Sequence, residues 1–229
     1  MAAVAVIPAR GGSKRLPRKN IADFLGRPII SYTIEAAHQS GCFSRVVVST
    51  EDAEIAEVAR QFGADVDLRA PHLASDTATV HAVCMAFLEA EQGQGRKWDR
   101  LCCLYATAPL RTAEDIRATM ALLEPGICDF AMGVSSYDKQ PHQALKLLPG
   151  NVLVPMWPEL LKFRASDLPP LRASNGTTYA VDCEAFRQHG NFYGPNLRGH
   201  DMARDHAVDI DTAEDLEFAR LIARHTWKS

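Results

Sequence analysis

Two clusters of residues, at opposite ends of this chain, have the types and spacing to do chemistry. The first is Ala5-Val6-Ile7-Pro8-Ala9-Arg10-Gly11-Gly12-Ser13-Lys14-Arg15-Leu16-Pro17-Arg18-Lys19-Asn20, an apolar run followed by a loop with two glycines and five cations (Arg10, Lys14, Arg15, Arg18, Lys19). That combination outlines an anion site. Gly11 and Gly12 can take up positive φ and bring backbone N–H groups against a ligand, and the cations can neutralise a polyphosphate. The loop has neither the Lys-Ser/Thr ending of a P-loop nor G-x-G-x-x-G. The second cluster is Asp205-His206-Ala207-Val208-Asp209-Ile210-Asp211-Thr212-Ala213-Glu214-Asp215. Asp209 and Asp211 are two apart on an extended segment, so both side chains leave the same face. Two hard oxygen ligands there can hold Mg²⁺ and leave its other positions to water and phosphate. The competing role for Asp211 is to cap the final helix, although Thr212 and Asp215 already have the character of cap residues. A third stretch, from Leu68-Arg69 to Ala74-Ser75-Asp76-Thr77-Ala78-Thr79, reads by itself as a strand end and a helix N-cap at Ser75-Asp76-Thr77.

The elements that must position these clusters alternate strand and helix. Strands are expected at 3–8, 45–50, 66–68, 101–105 and 129–134. Helices are expected at 28–39 (Pro28 in its first turn, Gly41 after its end), at 52–62 with Asp52 as cap and Gly63 as stop, at 77–91, and from Thr112, whose capping box is closed by Asp115. This order predicts an α/β fold, a Rossmann-like and mostly parallel sheet with helices on both faces. Ligands in such sheets sit at the carboxyl ends of the strands. The Arg10 loop, the Ser49-Thr50-Glu51 turn and the Ala106-Thr107-Ala108-Pro109 turn all fall there. From 136 to 170 the alternation stops and prolines recur, which reads as an excursion carrying a hairpin, 143–148 and 151–156, over Pro149-Gly150. The core resumes with a strand at 177–181, and a last helix starts at Thr212.

Bulk properties allow this reading. A chain of 229 residues that is 47% hydrophobic suits one α/β domain, 1–229, with the excursion inserted in it. A net charge of -3 argues against a nucleic-acid partner. No apolar run approaches the roughly 18 residues of a membrane span. The six cysteines show no C-x-x-C spacing and several lie in apolar segments, so they are expected as reduced core thiols in a cytoplasmic protein. Cys102 and Cys103 should point to opposite faces of one strand.

Taken together and in order, these segments resemble the acylneuraminate (nonulosonate) cytidylyltransferase family, from residue 4 to about 220. The matching motifs are Ile-Pro-Ala-Arg-Gly-Gly-Ser-Lys, Lys19-Asn20, Val-Val-Val-Ser-Thr-Glu-Asp, Leu-Arg-x-x-x-Leu-Ala-Ser-Asp-Thr-Ala, Ala-Thr-Ala-Pro-Leu-Arg-Thr, Asn175-Gly176 and Asp-Ile-Asp-Thr-x-x-Asp-Leu. The resemblance implies CTP and a nine-carbon acidic sugar as substrates, with CMP transferred to the sugar 2-hydroxyl and pyrophosphate released. It implies that Arg10 and Lys19 contact the CTP phosphates, with Ala9, Gly11, Ser13 and Lys14 in the same loop. It places Asn20 on the ribose, Arg69 and the Ala74, Ser75, Ala78 and Thr79 segment around the base, and Mg²⁺ on Asp209 and Asp211. A homodimer is implied, with the 136–170 excursion crossing between copies and helping to close the sugar site. Tyr105, Thr107, Gln143, Lys146 and Asn175 are the positions expected to read the sugar. Tyr105-Ala-Thr107-Ala-Pro109, Trp157-Pro158-Glu159 and Arg164-x-Ser166-Asp167-Leu168 resemble the pseudaminate branch, whereas Asn175-Gly176-Thr177-Thr178-Tyr179 is closer to the sialate type. Pseudaminate is the expected sugar, with legionaminate and N-acetylneuraminate as rivals. A non-catalytic CTP sensor is the rival of another class, but a mere binder has no need of a metal pair beside the α-phosphate.

Overall fold

The computed structural model describes residues 1–75 and 77–227. The chain runs β1 (Ala3–Pro8), a two-residue hairpin β2 (Asp23–Phe24) and β3 (Arg27–Pro28), α1 (Ile29–Ser40), β4 (Arg45–Thr50), α2 (Ala53–Gln61), β5 (Asp65–Leu68), α3 (Val80–Gly93), β6 (Arg100–Leu104), α4 (Ala113–Ala121), β7 (Phe130–Ser136), β8 (Leu145–Leu148), β9 (Val152–Pro155), β10 (Arg172–Asp182), α5 (Cys183–His189), β11 (Arg198–Asp201) and α6 (Ala213–Thr226). Seven strands form one sheet in the order β11-β7-β10-β6-β1-β4-β5. It is the expected mostly parallel α/β sheet. β10 alone runs against its neighbours, antiparallel to both β6 and β7.

Alternation along the central strands builds two cores. Ala5 and Ile7 of β1, with Cys102 of β6, face Ile30, Ile34, Ile55 and Ile116 of α1, α2 and α4. Val4, Val6 and Cys103 face Cys84, Phe87, Leu88 and Phe186 of α3 and α5. The adjacent cysteines thus do take opposite faces, and all six are free thiols. A third cluster seats α6 on the rest through Phe24, Ile29, Leu110, Ile210 and Leu216. Among the described residues no helix is long and apolar enough to cross a membrane.

Local signals set most element ends. Asp52 accepts the N–H groups of Glu54 and Ile55 at 3.0 Å each, and Gly41 takes the left-handed φ that closes α1. Capping boxes join Thr112 to Asp115 and Thr212 to Asp215. The helix expected from Thr77 begins instead at Val80, because the Thr79 hydroxyl is the oxygen that accepts the Ala82 N–H, while 71–74 forms a separate 3₁₀ turn. The Asp76 of the expected cap lies outside the described residues. Three features depart from expectation: β10 is longer than 177–181, and α5 and β11 occupy the polar stretch between that strand and Thr212, for which no element is expected. The β8–β9 hairpin forms over Pro149-Gly150 with Leu147 opposite Leu153.

At the end of the sheet away from the loops described next, Glu91 of α3 is buried among donors. It accepts from Arg45 at 2.9 Å, Arg96 at 2.7 Å and the Trp98 indole at 3.1 Å. The Arg96 hydrogen bond, with those of Trp98 and Arg45, outweighs burial and holds its carboxyl at about 2, below the ordinary 4.5. A depressed carboxyl contributes stability that is complete above its unfolded value and lost on acidification. Glu91 should therefore supply on the order of 3 kcal/mol above pH 4.5, disappearing as pH falls to about 2. Denaturant titrations of the wild-type protein and Glu91→Gln across that window should converge at the acid end and diverge above it.

Candidate active site

The carboxyl ends of β1, β5 and β6 open on a crevice of about 540 Å³ lined on one side by Arg10, Ser13, Lys14, Arg15, Lys19 and Asn20. Arg69, Ser75 and Ala78 line the other side, and Tyr105 and Thr107 line it where β6 ends. Ala74 and Thr79 fall outside the lining, Thr79 being spent on the α3 cap.

The cation loop is held by hydrogen bonds that reach back into the fold. Ala9 donates its N–H to the Ser49 carbonyl at 2.9 Å, and buried Asn20 donates its amide to the Arg10 carbonyl at 2.8 Å. Neither Gly11 nor Gly12 uses a positive φ. Gly11 is needed for a different reason: a Cβ there would sit 2.3 Å from Asp52 Oδ2. Its N–H, expected to face a ligand, donates instead to Glu51 Oε1 at 2.8 Å. The five cations also divide. Arg18, itself in the left-handed region at φ 56°, turns onto Asp52 and Glu54 and acts as a strut. Lys19 Nζ and Arg15 Nη2 both meet Asp211, at 2.7 and 2.8 Å. Arg10 and Lys14 remain on the crevice wall.

The second cluster comes to the same place. Ile210 donates its N–H to the Thr107 carbonyl at 2.9 Å, which docks the 209–211 segment on the end of β6. The Thr107 hydroxyl donates to Asp209 Oδ1. Burial pushes the Asp209 carboxyl above its ordinary value; the Thr107 hydrogen bond and the Lys19 charge oppose that, and the Asp211 charge reinforces it. At Asp211 burial also acts upward, but Lys19 and Arg15 outweigh it and hold the carboxyl low. Asp209 Oδ2 approaches Gly176 so closely that a Cβ there would lie 3.0 Å away.

Two carboxylates beside Lys19 have the hard oxygen donors that Mg²⁺ takes. Among the described residues no three His, Cys, Asp or Glu are grouped to hold a metal, so a cation here would draw its remaining ligands from water and substrate oxygens. Each oxygen of Asp211 holds one cationic partner and keeps a lone pair, so such an ion would share that carboxylate with Lys19 and Arg15 or take the place of one of them. The donor set fits the ion.

The family model described as Cytidylyltransferase matches residues 4–223. The chain belongs to the cytidylyltransferase family. It is 36% identical over 220 residues to the pseudaminic acid cytidylyltransferase of Campylobacter jejuni subsp. jejuni serotype O:2, covering 96% of this chain and 95% of that one. It is 33% identical over 218 residues to the CMP-N,N'-diacetyllegionaminic acid synthase of Legionella pneumophila, covering 94% and 93%. Its fold is shared with CMP:2-keto-3-deoxy-manno-octonic acid synthetase complexed with CTP, at a TM-score of 0.73 and 17% identity over 98% of this chain and 99% of that one. The protein is a nucleotidyltransferase.

In this cytidylyltransferase the positions expected to read a sugar do not all gather. Tyr105 lines the crevice, its ring tilted against Tyr179 at 5.7 Å, and burial pushes its hydroxyl far up so that it stays protonated. Asn175 accepts from the Thr177 N–H and hydroxyl at 3.2 and 2.8 Å, which commits its oxygen to the irregular stretch of β10. Gln143 and Lys146 are exposed beside and on β8 and do not line the crevice of their own chain.

Two charged residues beside the crevice are assigned no role from the sequence, although the Glu51 turn is expected at this edge of the sheet. Glu51 stands between the cation loop and Arg69, and Arg111 is buried behind Tyr105. Both lie in motifs that match the family, Ser-Thr-Glu-Asp and Pro-Leu-Arg-Thr, but a charged residue at a strand end or before a helix cap reads as solvated. The geometry of the two glycines predicts unequal substitutions. Gly11→Ala should lose about 1–3 kcal/mol by overpacking against Asp52, whereas Gly12→Ala, with open space around its Cβ position, should melt with the wild-type protein in a thermal scan.

Proposed function

We propose that this enzyme transfers CMP from CTP to the 2-hydroxyl of a nine-carbon 2-keto acid sugar, pseudaminic acid in preference to legionaminic or N-acetylneuraminic acid, and releases pyrophosphate. The observation that carries the reading is that the residues lining the crevice bond directly to the second cluster, Thr107 to Asp209 and Lys19 and Arg15 to Asp211. The pseudaminate assignment is supported by the 36% identity to a pseudaminic acid cytidylyltransferase and by Tyr105-Ala-Thr107-Ala-Pro109.

The mechanism follows from charge. As the sugar oxygen attacks the α-phosphorus and the bond to pyrophosphate breaks, negative charge spreads over the phosphoryl oxygens, so positioning and electrostatics do most of the work. Arg10 and Lys14 hold the triphosphate along the crevice wall. Lys19 turns its ammonium to the charge that develops at the α-phosphate. Asp209 and Asp211 are the residues that would hold Mg²⁺, which would supply further neutralisation of the phosphate oxygens. Asn20 keeps the loop in register by its bond to the Arg10 carbonyl and faces the ribose. Arg69, with Ser75 and Ala78, encloses the base. No covalent intermediate on the protein is required.

The excursion fits a homodimer. Leu145, Leu147, Val152 and Leu153 on the β8–β9 hairpin are exposed, Leu147 to 65%, and such a paired apolar patch is covered when a second copy packs on it. In that arrangement Gln143 and Lys146, which do not line their own crevice, reach the sugar site of the partner.

Initial rates of pyrophosphate release with CTP and each sugar offered separately should be highest with pseudaminate, vanish on chelation and return with Mg²⁺. Turnover only with legionaminate or N-acetylneuraminate reverses the sugar assignment, and CTP binding without turnover makes the protein a sensor. In sedimentation experiments the wild-type chain should run as a dimer. The double variant Leu147→Asp, Leu153→Asp should run as a monomer that still binds CTP but turns over sugar at least tenfold more slowly.

A further inference from the structure

Glu51 follows β4, which lies in the sheet between β1 and β5. The loop after β1 carries Gly11 and the chain after β5 carries Arg69, so the central strand of the three ends in a carboxylate with a flank on either side. Both flanks are bonded. Oε1 accepts the Gly11 N–H at 2.8 Å, and Oε2 accepts Arg69 Nε and Nη2 at 3.2 and 3.1 Å. The Arg69 side chain is only 5% exposed, and it lines the crevice.

We infer that Glu51 is a positioning residue that locks the phosphate loop and Arg69 in one geometry and thereby sets both affinity for the nucleotide and choice of base. The inference rests on the nucleotide assignment proposed above. Its chemistry is that of a donor held still. Guanidinium donates and cannot accept. With Nε and one N–H of Nη2 on Glu51, the donors left for a ligand are those of Nη1 and the second N–H of Nη2, all held in the plane that Glu51 fixes. A fixed donor suits the N3 of cytosine, which accepts, and opposes the N3–H of uracil, which donates. Two apposed donors with no acceptor between them are unfavourable in a dry site. If Arg69 were free to swing, it would adapt to either base and the distinction would fade. The same carboxylate holds Gly11, so its loss also slackens the loop that takes the phosphates.

Glu51→Gln tests this with little change of shape. The amide oxygen can still accept from Gly11, but the NH₂ group faces the N–H groups of Arg69 and leaves that nearly buried charge without its carboxylate, a costly state that a swing toward solvent relieves. Calorimetric titration of the intact chain with CTP and with UTP should show the wild-type protein preferring CTP. In Glu51→Gln, CTP affinity should fall about tenfold and the CTP:UTP ratio should narrow at least fivefold, with the KM for sugar unchanged. Glu51→Asp, one methylene too short to span both partners, is the second variant should the first fail to melt cooperatively, and it should shift the same two quantities in the same direction. A wild-type CTP:UTP ratio in a folded variant overturns the role of Glu51 while leaving the nucleotide assignment intact, because a residue that only supports the fold does not distinguish bases. A wild-type protein that binds neither nucleotide overturns the assignment itself, and this inference with it.

Discussion

Arg111 carries its charge in the interior, and the geometry of the crevice depends on where it points. Nη1 donates to the Thr177 carbonyl at 2.6 Å and reaches the Tyr105 carbonyl at 3.4 Å, while Nη2 donates to the Thr33 hydroxyl at 2.8 Å. The hydroxyl of Thr33 donates in turn to the Tyr105 carbonyl at 3.1 Å. One planar group therefore ties α1, the end of β6 and the irregular stretch of β10. Among the described residues no carboxylate bonds to it, and Nε has no partner. Burial draws its pKa down to about 10, still far enough up to keep it charged at neutral pH. A lysine could carry the charge but not the fork of donors. Tyr105, Thr107 and Gly176 stand where they do because β6 and β10 meet at this point, and Asp209 is placed by Thr107 and Gly176.

The crevice in front of Arg111 is not a bare basic funnel. Its charges are already matched: Arg18 with Asp52 and Glu54, Arg69 with Glu51, Lys19 and Arg15 with Asp211. A polyphosphate entering such a site competes for cations rather than meeting them idle. That lowers the attraction for any stray anion and favours a ligand that can replace several bonds at once. The net charge of -3 points the same way, because a protein with little general attraction for polyanions relies on local geometry for recognition.

What could be read from sequence alone was what short range determines. Strands β1, β4 and β6 are apolar runs bounded by turns. Asp52, Thr112 and Thr212 are caps with their partners two or three residues away. The residues of the crevice could be gathered because parallel strands must deliver their following loops to one edge. The pairing of charges could not, since Arg18 and Lys19 are neighbours whose fates are decided by carboxylates 34 and 192 residues away. The start of α3 was ambiguous for another reason: Ser75, Asp76, Thr77 and Thr79 are all competent caps, and only the path of the chain selects Thr79. β11 reads Arg-Gly-His-Asp, with no alternation to announce a strand, and exists because the edge of β7 offers it hydrogen bonds. The seven-residue α5 has a cap and a glycine stop but too few turns to show a period.

The direction of β10 follows from the excursion that precedes it. The chain leaves the carboxyl end of β7, stays at that end, and returns without a crossover helix, so it must come back antiparallel. Ser136 and Arg172 are consequently paired neighbours in the sheet, and the 137–171 segment begins and ends at one spot. It is a cassette with a closed base. Its length and contents can change without rethreading a single strand of the core, so evolution is free to remodel the arm while the half of the molecule that surrounds the cation loop stays as it is.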